Sequence, residues 1–389
     1  MLGGSIVLAP ACRLLAQSKT TNPLDIEIDQ SDRVIPLGYG KRQLSAFEIR
    51  RIKQEMAQLN RAAKAELKQS NSEEAFELWY RQLKLARAVG TVTEIETLGE
   101  VGAIAWKENR SEDLRNIANR LITVESTVES TRETEQPSIQ MWQKLATAYQ
   151  QVRYLEEAIA IYQQILARNQ AIADSAAVES NLQTLGELYL AQFNYSEAAV
   201  TYQNLLALAQ AKPQPDDKID SYLQTLANIY DRTAQTKLAI STKKRLIKSY
   251  TAAEKTAASA QLELEIALDY ETLNQVAKSV TAYEQAFTLA STAQQYAIAN
   301  DALTGLGKLY QRQGEQQQTI DTFERLLDLQ RQAYNYYGLV NTYDTLGKIH
   351  LESAQKQQAK QYFQEALEIA KDLNYKVEYF NQKIQQSNK

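Results

Sequence analysis

Few residues in this 389-residue chain have the types and spacing that covalent or metal chemistry needs. It has one histidine, His350, and one cysteine, Cys12. No imidazole pair, Cys–His couple or thiolate metal site can be assembled from them, so the ordinary carriers of nucleophilic and zinc chemistry are missing. Glu265 and Asp269 stand four apart, which puts both carboxylates on one helix face; with no third ligand they read as solvated helix charges. Lys243, Lys244, Arg245 and Lys248 form the densest basic cluster. It is not repeated along the chain and no stacking aromatics interleave it, so it reads as a solvated, convex face. Net charge is −4, with 43 basic and 47 acidic residues, which gives no bulk electrostatic case for nucleic acid or an anionic membrane. The glycines are scattered singly and form no phosphate-cradling loop. The chain is therefore expected to be no enzyme, with no cofactor and no metal.

The elements that would position any site come from a repeat. A Leu or Ile, a small residue and, three further on, a ring recur as Leu145-Ala146-Tyr149, Leu185-Gly186-Tyr189, Leu226-Ala227-Tyr230, Ile266-Ala267-Tyr270, Leu306-Gly307-Tyr310 and Leu346-Gly347-His350. The spacings are 40, 41, 40, 40 and 40 residues. Self-similarity at such a period marks a solenoid, whose core grows with repeat number. Six Pro and 13 Gly are too few to interrupt helices often, and the apolar residues recur at helical spacing. His350 stands where five copies carry Tyr, and is expected to fill the same slot between helices.

The clearest copy reads Trp142, Leu145, Ala146, Tyr149, Ala158, Tyr162, with a turn near Val152 to Tyr154. This resembles the tetratricopeptide repeat (TPR), a helix A, turn, helix B unit with the signature W-x2-L-G-x2-Y. The resemblance implies an all-α, right-handed α-solenoid. Small residues at Ala146, Gly186 and Gly307 in helix A, and at Ala158, Ala198, Ala239 and Ala359 in helix B, let the two helices approach closely. Rings at Tyr162, Tyr202, Tyr283 and Phe363 fill the space between units. The period departs from the usual 34 residues, and since Trp142 to Tyr162 keeps the usual spacing, the six extra residues fall where helix B meets the next helix A. The 41-residue spacing coincides with Lys212-Pro213-Gln214-Pro215, whose prolines must interrupt the helices.

Residues 1–17 are apolar and end at a small-residue site, Leu15-Ala16-Gln17, though no basic start precedes them. They read as a signal peptide, too short and too interrupted by Arg13 to span a membrane comfortably. Cys12 lies inside this segment in a poor lipoprotein context. Residues 18–44 read as an extended linker, and Ser45 with Glu48 forms a capping box that starts a helix. Residues 45–128 hold two degenerate repeats: Ala75 and Trp79 occupy helix B positions of one. Leu98-Gly99 leads the other, with Gly102 in place of the ring and Trp106 as a candidate substitute one turn on. Residues 129–138 read as a flexible joint within a stretch from Ser126 to Ser138 without apolar anchors, residues 139–370 as six regular repeats, and residues 371–389 as a capping helix. The N-terminal wording, from Arg42-Gln43-Leu44-Ser45 to Glu73-Glu74-Ala75-Phe76, also resembles a family of cyanobacterial TPR proteins. That implies export to the periplasm or thylakoid lumen and no particular activity; a cytoplasmic location is the alternative.

TPR resemblance implies a concave groove lined by helix A residues not used for packing. By phase these are Gln143, Lys144, Thr147, Gln183, Glu187, Gln224, Asn228, Asp231, Glu265, Glu271, Lys308, Arg312 and Lys348. Glu265 and Glu271 followed by Lys308, Arg312 and Lys348 are expected to form adjacent patches of opposite sign. The carboxylate clamp of chaperone-binding repeats is not present, because Asn228 has Gln224 four positions before it where that clamp has Lys. The expected function is a non-enzymatic scaffold or assembly factor that binds an extended protein segment; the alternative is an enzyme-associated or nucleic-acid-binding helical repeat protein.

Overall fold

The computed structural model describes residues 22–26, 32–130, 138–212 and 217–387. These hold seventeen α-helices and no β-strand. The chain divides into two compact units, Met1–Gln192 and Phe193–Lys389. The first contains α1 (Ala46–Lys68), α2 (Ser72–Val89), α3 (Thr91–Lys107), α4 (Ser111–Ser130), α5 (Ile139–Gln151), α6 (Leu155–Ala171) and α7 (Ser175–Ala191). The second contains α8 (Tyr195–Ala211), α9 (Ile219–Arg232), α10 (Thr236–Ala252), α11 (Thr256–Thr272), α12 (Val276–Thr292), α13 (Tyr296–Gln313), α14 (Gln316–Gln332), α15 (Tyr336–Glu352), α16 (Lys356–Asp372) and α17 (Val377–Ser387).

The helices end by a device the sequence pattern hides. In the second unit a residue in the left-handed region follows each of α9 to α16 at twenty-residue intervals: Ala234, Glu254, Asn274, Gln294, Gly314, Tyr334, Ala354 and Asn374. The next N–H then turns back to a carbonyl five residues earlier, as in Lys255 to Tyr250 at 2.9 Å and Gln295 to Ala290 at 2.8 Å. That bond satisfies one of the carbonyls every helix end leaves open. Gly314 alone in this series takes the conformation without a Cβ penalty.

The long period is spent on helix. Most helices from α6 onward have 17 residues and are joined by three-residue links, whereas half of a 34-residue unit less the same link would leave about 14. Each is longer by roughly 4.5 Å at 1.5 Å per residue. From α6 onward the exceptions are α9, with 14 residues, α13, with 18, and the terminal α17, with 11; the α9 shortening follows the expected proline interruption.

Four features of the first unit differ from expectation. Where described, residues 22–26 and 32–44 are turns folded onto the helices, not an extended linker: Val34 and Ile35 are buried with Ile52, Met56 and Leu59. Trp106 is 53% exposed and does not replace the missing ring at Gly102. A Cβ at Gly102 would lie 2.3 Å from Cγ1 of Val152, so the valine occupies that space from α5's end. Finally, α4 continues through Ser130 with Val128 buried, so the stretch after Ser126 does carry an apolar anchor. Residues 131–137 of the expected joint lie outside the described residues. Helices before and after them pack directly together, since a Cβ at Gly99 of α3 would meet the Ala148 backbone of α5 at 3.0 Å.

Candidate functional site

Packing decides which side chains remain for binding. In the A helices the anchors Leu145, Leu185, Leu226, Ile266, Leu306 and Leu346 are at most 2% exposed. One position later in phase than the small residue, Thr147, Glu187, Asn228, Leu268, Lys308 and Lys348 are all exposed. The repeat thus presents one outward residue per unit at a fixed place, and five of the six are polar.

The ring slot in helix B shows how the same backbone holds different chemistry. Tyr162, Tyr202, Tyr283, Phe323 and Phe363 fill it in five repeats and are buried. A Cβ added at Gly347 would lie 2.5 Å from Cε1 of Phe363, and one at Gly305 would lie 2.5 Å from Cε1 of Tyr283. In the remaining repeat the slot holds Lys243, 3% exposed. Its ammonium lies 2.9 Å from Asp231, 3.0 Å from Asp269 and 3.5 Å from Glu265. Burial pulls its pKa down, but Asp231 and Asp269 outweigh that and hold it above the ordinary lysine value. With three carboxylates around one cation, burial and the like charges of Asp231 and Glu265 push the Asp269 carboxyl up.

This corrects two sequence readings. The basic cluster is not one solvated face: Lys243 is internal, and Lys244 donates to the Tyr270 hydroxyl at 2.9 Å and lies over its ring. Glu265 and Asp269 are not simply solvated, since both turn toward Lys243. The signal was available, because Lys243 stands four residues after Ala239 as Tyr162 stands four after Ala158. A second displacement lies one helix on. Glu263 takes the first anchor position, held elsewhere by Trp142, Leu182, Leu223, Leu303 and Tyr343, and burial raises its pKa.

The structure also ties up most of the charges expected to line the groove. Lys144 pairs with Glu96 of α3, Arg312 pairs with Glu271, and Tyr283 bonds the same Glu271. Lys348 bonds Asp344 at 2.7 Å, and the Tyr379 hydroxyl donates to the same aspartate at 2.8 Å. The patches of opposite sign expected at Glu271 and Arg312 therefore neutralise each other in the free protein. Thr147 turns its hydroxyl to the Gln143 carbonyl at 2.8 Å, and Gln224 reaches Asn228 within one helix at 3.4 Å. Gln143, Glu187, Asn228 and Lys308 are exposed, and Gln183 is half-buried.

Helix A tyrosines add a rung between neighbouring repeats. Gln163 donates to Tyr189, Gln203 to Tyr230 and Lys244 to Tyr270, at 2.7 to 2.9 Å. Where the sixth copy has His350, no hydroxyl is available; the ring is 8% exposed, stacks on Tyr362 at 5.2 Å and bonds Gln355 through Nδ1 at 2.6 Å. No helix among the described residues is long and apolar enough to cross a membrane.

Comparison with known proteins agrees with this geometry. Tetratricopeptide repeat family profiles match residues 139–172 and residues 298–372. A search of curated proteins found no match. Among solved structures, BtubC from P. vanneervenii is similar at 19% identity and a TM-score of 0.37, over 57% of this chain and 92% of that one. The C-terminal part of a TPR repeat-containing protein from Cytophaga hutchinsonii is similar at 12% identity and a TM-score of 0.41, over 70% and 95%. Aspartyl phosphate phosphatase F from Bacillus subtilis is similar at 13% identity and a TM-score of 0.38, over 75% and 82%. The chain is thus an all-α protein built from TPR-like helix pairs, and it carries tetratricopeptide repeats over residues 139–172 and 298–372.

Proposed function

We propose that the outward face of the A helices binds an extended protein segment, and that the protein is a non-enzymatic scaffold or assembly factor. The observation that carries this is the in-phase exposed series Asn228, Leu268, Lys308 and Lys348 of the second unit beside buried anchors, with Thr147 and Glu187 at the same phase in the first. An extended strand of polypeptide repeats its side chains and amides along one line, which suits a surface that repeats its own polar groups. Internal pairing of Glu271 with Arg312 and of Lys144 with Glu96 leaves hydrogen bonding the larger part of recognition and charge the smaller.

A photo-crosslinking residue placed at Asn228, and in a separate protein at exposed Arg245 of α10, tests the face in native extract. Protein adducts at 228 with few at 245 are expected; adducts confined to 245 would overturn the reading. Against a partner so identified, Asn228→Ala and Lys308→Ala should each weaken binding by about 1 kcal/mol without loss of stability. We further propose that residues 1–17 are a signal peptide and that the mature protein works in the periplasm or thylakoid lumen, as the N-terminal resemblance implies. N-terminal sequencing of the native protein tests it: a start at residue 18 is expected, and a retained residue 1 sinks it.

A further inference from the structure

On the B side of the second unit, α14 and α16 border a cleft of about 1060 Å³. Its walls carry Glu324, Glu365, Gln317 and Gln358, and Tyr362 and His350 also line it. The rung of tyrosine hydroxyls described for Tyr189, Tyr230 and Tyr270 does not extend to this cleft. In earlier copies the residue matching Glu324 is Gln163, Gln203 or Lys244, each of which reaches a helix A tyrosine, and in the copy just before it is Glu284, which holds Arg325 at 2.7 and 2.8 Å where the present copy has Glu365. Opposite Glu324 stands His350, whose ring has no hydroxyl; Glu324 instead accepts from Tyr362 at 2.7 Å.

Two observations point to a ligand. The imidazole is buried, its Nδ1 is used by the Gln355 carboxamide oxygen, and its Nε2 has no hydrogen-bond partner. Because a carboxamide oxygen only accepts, Nδ1 carries the proton and Nε2 is an acceptor still lacking a donor. The second is charge: Glu324 and Glu365 are both exposed on the walls, and the one cation there, Arg331, is already held by Asp328 at 2.7 Å and by the Tyr343 hydroxyl at 2.7 Å. Arg331 also lies over the Tyr343 ring, 6.0 Å from its centroid. One guanidinium thus already uses a carboxylate, a tyrosine hydroxyl and a ring on this wall, and Tyr362 with Glu324 offers the same set without one.

We propose that this cleft is a second binding site, separate from the helix A face, for an arginine side chain of a partner polypeptide. Its guanidinium bonds Glu324, Glu365 and the carboxamide oxygens of Gln317 and Gln358. A planar fork of donors satisfies two carboxylates and two amides at once, which a lysine ammonium does less well.

His350 makes the test direct, because the only histidine in the chain gives one assignable pair of imidazole nitrogens. The ¹⁵N-labelled full chain is titrated with acetyl-arginine-N-methylamide and with the citrulline analogue, which has the same shape and no charge. A saturable shift of the His350 resonances is expected with arginine, about tenfold weaker with citrulline and about tenfold weaker in the Glu324→Gln/Glu365→Gln protein. The Asn228→Ala/Lys308→Ala protein should respond like the parent, which keeps this site distinct from the helix A face. Thermal unfolding of the Glu324→Gln/Glu365→Gln protein should match the parent, since both carboxylates are exposed. No saturable shift, or equal response to citrulline, overturns the proposal.

Discussion

The first four helices and the regular helix pairs of the second unit solve the same problem with different interactions. Around α1 to α4, arginines staple irregular segments: Arg81 holds Asp32 and Glu55, Arg110 holds Glu73 and Asp113, and Arg120 holds Glu94 and Asp25. In the second unit the fit is one of volume, with Phe323 against Gly307, Phe363 against Gly347 and Tyr283 against Gly305. A repeat can reuse one ring and one gap at every step. A degenerate segment cannot, and is fixed by charged groups whose direction-dependent bonds tolerate irregular backbone. Lys243 brings the charged solution into a ring slot of the regular array.

The comparison can be broken in four ways, beginning with the largest effect. Arg120→Met leaves Glu94 buried without its cation and should cost about 3–5 kcal/mol in denaturant unfolding. Lys243→Met should cost less, about 1–3 kcal/mol, because Asp231 and Glu265 are about one-third exposed and can turn to water. Equal costs would mean that the two ionic sites are built alike.

Gly305→Ala comes next. The added methyl would sit 2.5 Å from the Tyr283 ring, and about 1–3 kcal/mol should be lost as ring and helix move apart. A neutral effect in thermal unfolding would show that the slots of the second unit are looser than their geometry indicates.

The response to pH should differ in sign between the regions. Arg81 holds the Asp32 carboxyl below its ordinary 3.8 and Arg110 holds Glu73 below 4.5, so their contribution is complete above those values and is lost as pH falls through the lower folded pKa values. Burial raises Asp269 above 3.8 and Glu263 above 4.5, so the native state binds more protons there, and stability is lost as pH rises from those values through the higher folded ones. Hydrogen exchange, corrected for intrinsic rate, should therefore show α11 losing protection as pH rises from about 4, while α2 loses protection as pH falls from about 4. Parallel behaviour of the two helices would remove the distinction.

The smallest effect concerns helix ends. Ala354→Gly should stabilise by up to about 1 kcal/mol, because the left-handed backbone there no longer carries a Cβ. In the irregular region Ser70 after α1 takes the same conformation, with a φ of 67°, so Ser70→Gly should give a similar gain. A lower melting temperature for Ala354→Gly would mean that the unfolded chain's added freedom dominates.

Much of the second unit was legible because a short-range pattern recurred: the anchors, the small residues and most rings could be read in phase, and the six extra residues could be assigned to helix by elimination. The left-handed caps were not legible. Apart from Gly314, Asn274 and Asn374, they are Ala, Glu, Gln and Tyr, which do not announce that conformation, so only the twenty-residue recurrence of φ in the folded chain shows it throughout. The candidate face was legible in position but not in state, since Lys144 and Arg312 were expected only to line the groove and are paired with residues 48 and 41 positions away.

The sequence by itself determined the helix class, the period and which face of each helix is buried, because these follow from side chains a few residues apart on one helix. Tertiary structure decided what the charges do. Whether Lys243 meets water or three carboxylates, and whether Glu271 is free or held by Arg312, depends on distances across neighbouring repeats, which a periodic pattern leaves unstated. A buried charge is tolerated only where its partners converge on it, so the outcome at Lys243 was set by Asp231, Glu265 and Asp269 together, from two different helices.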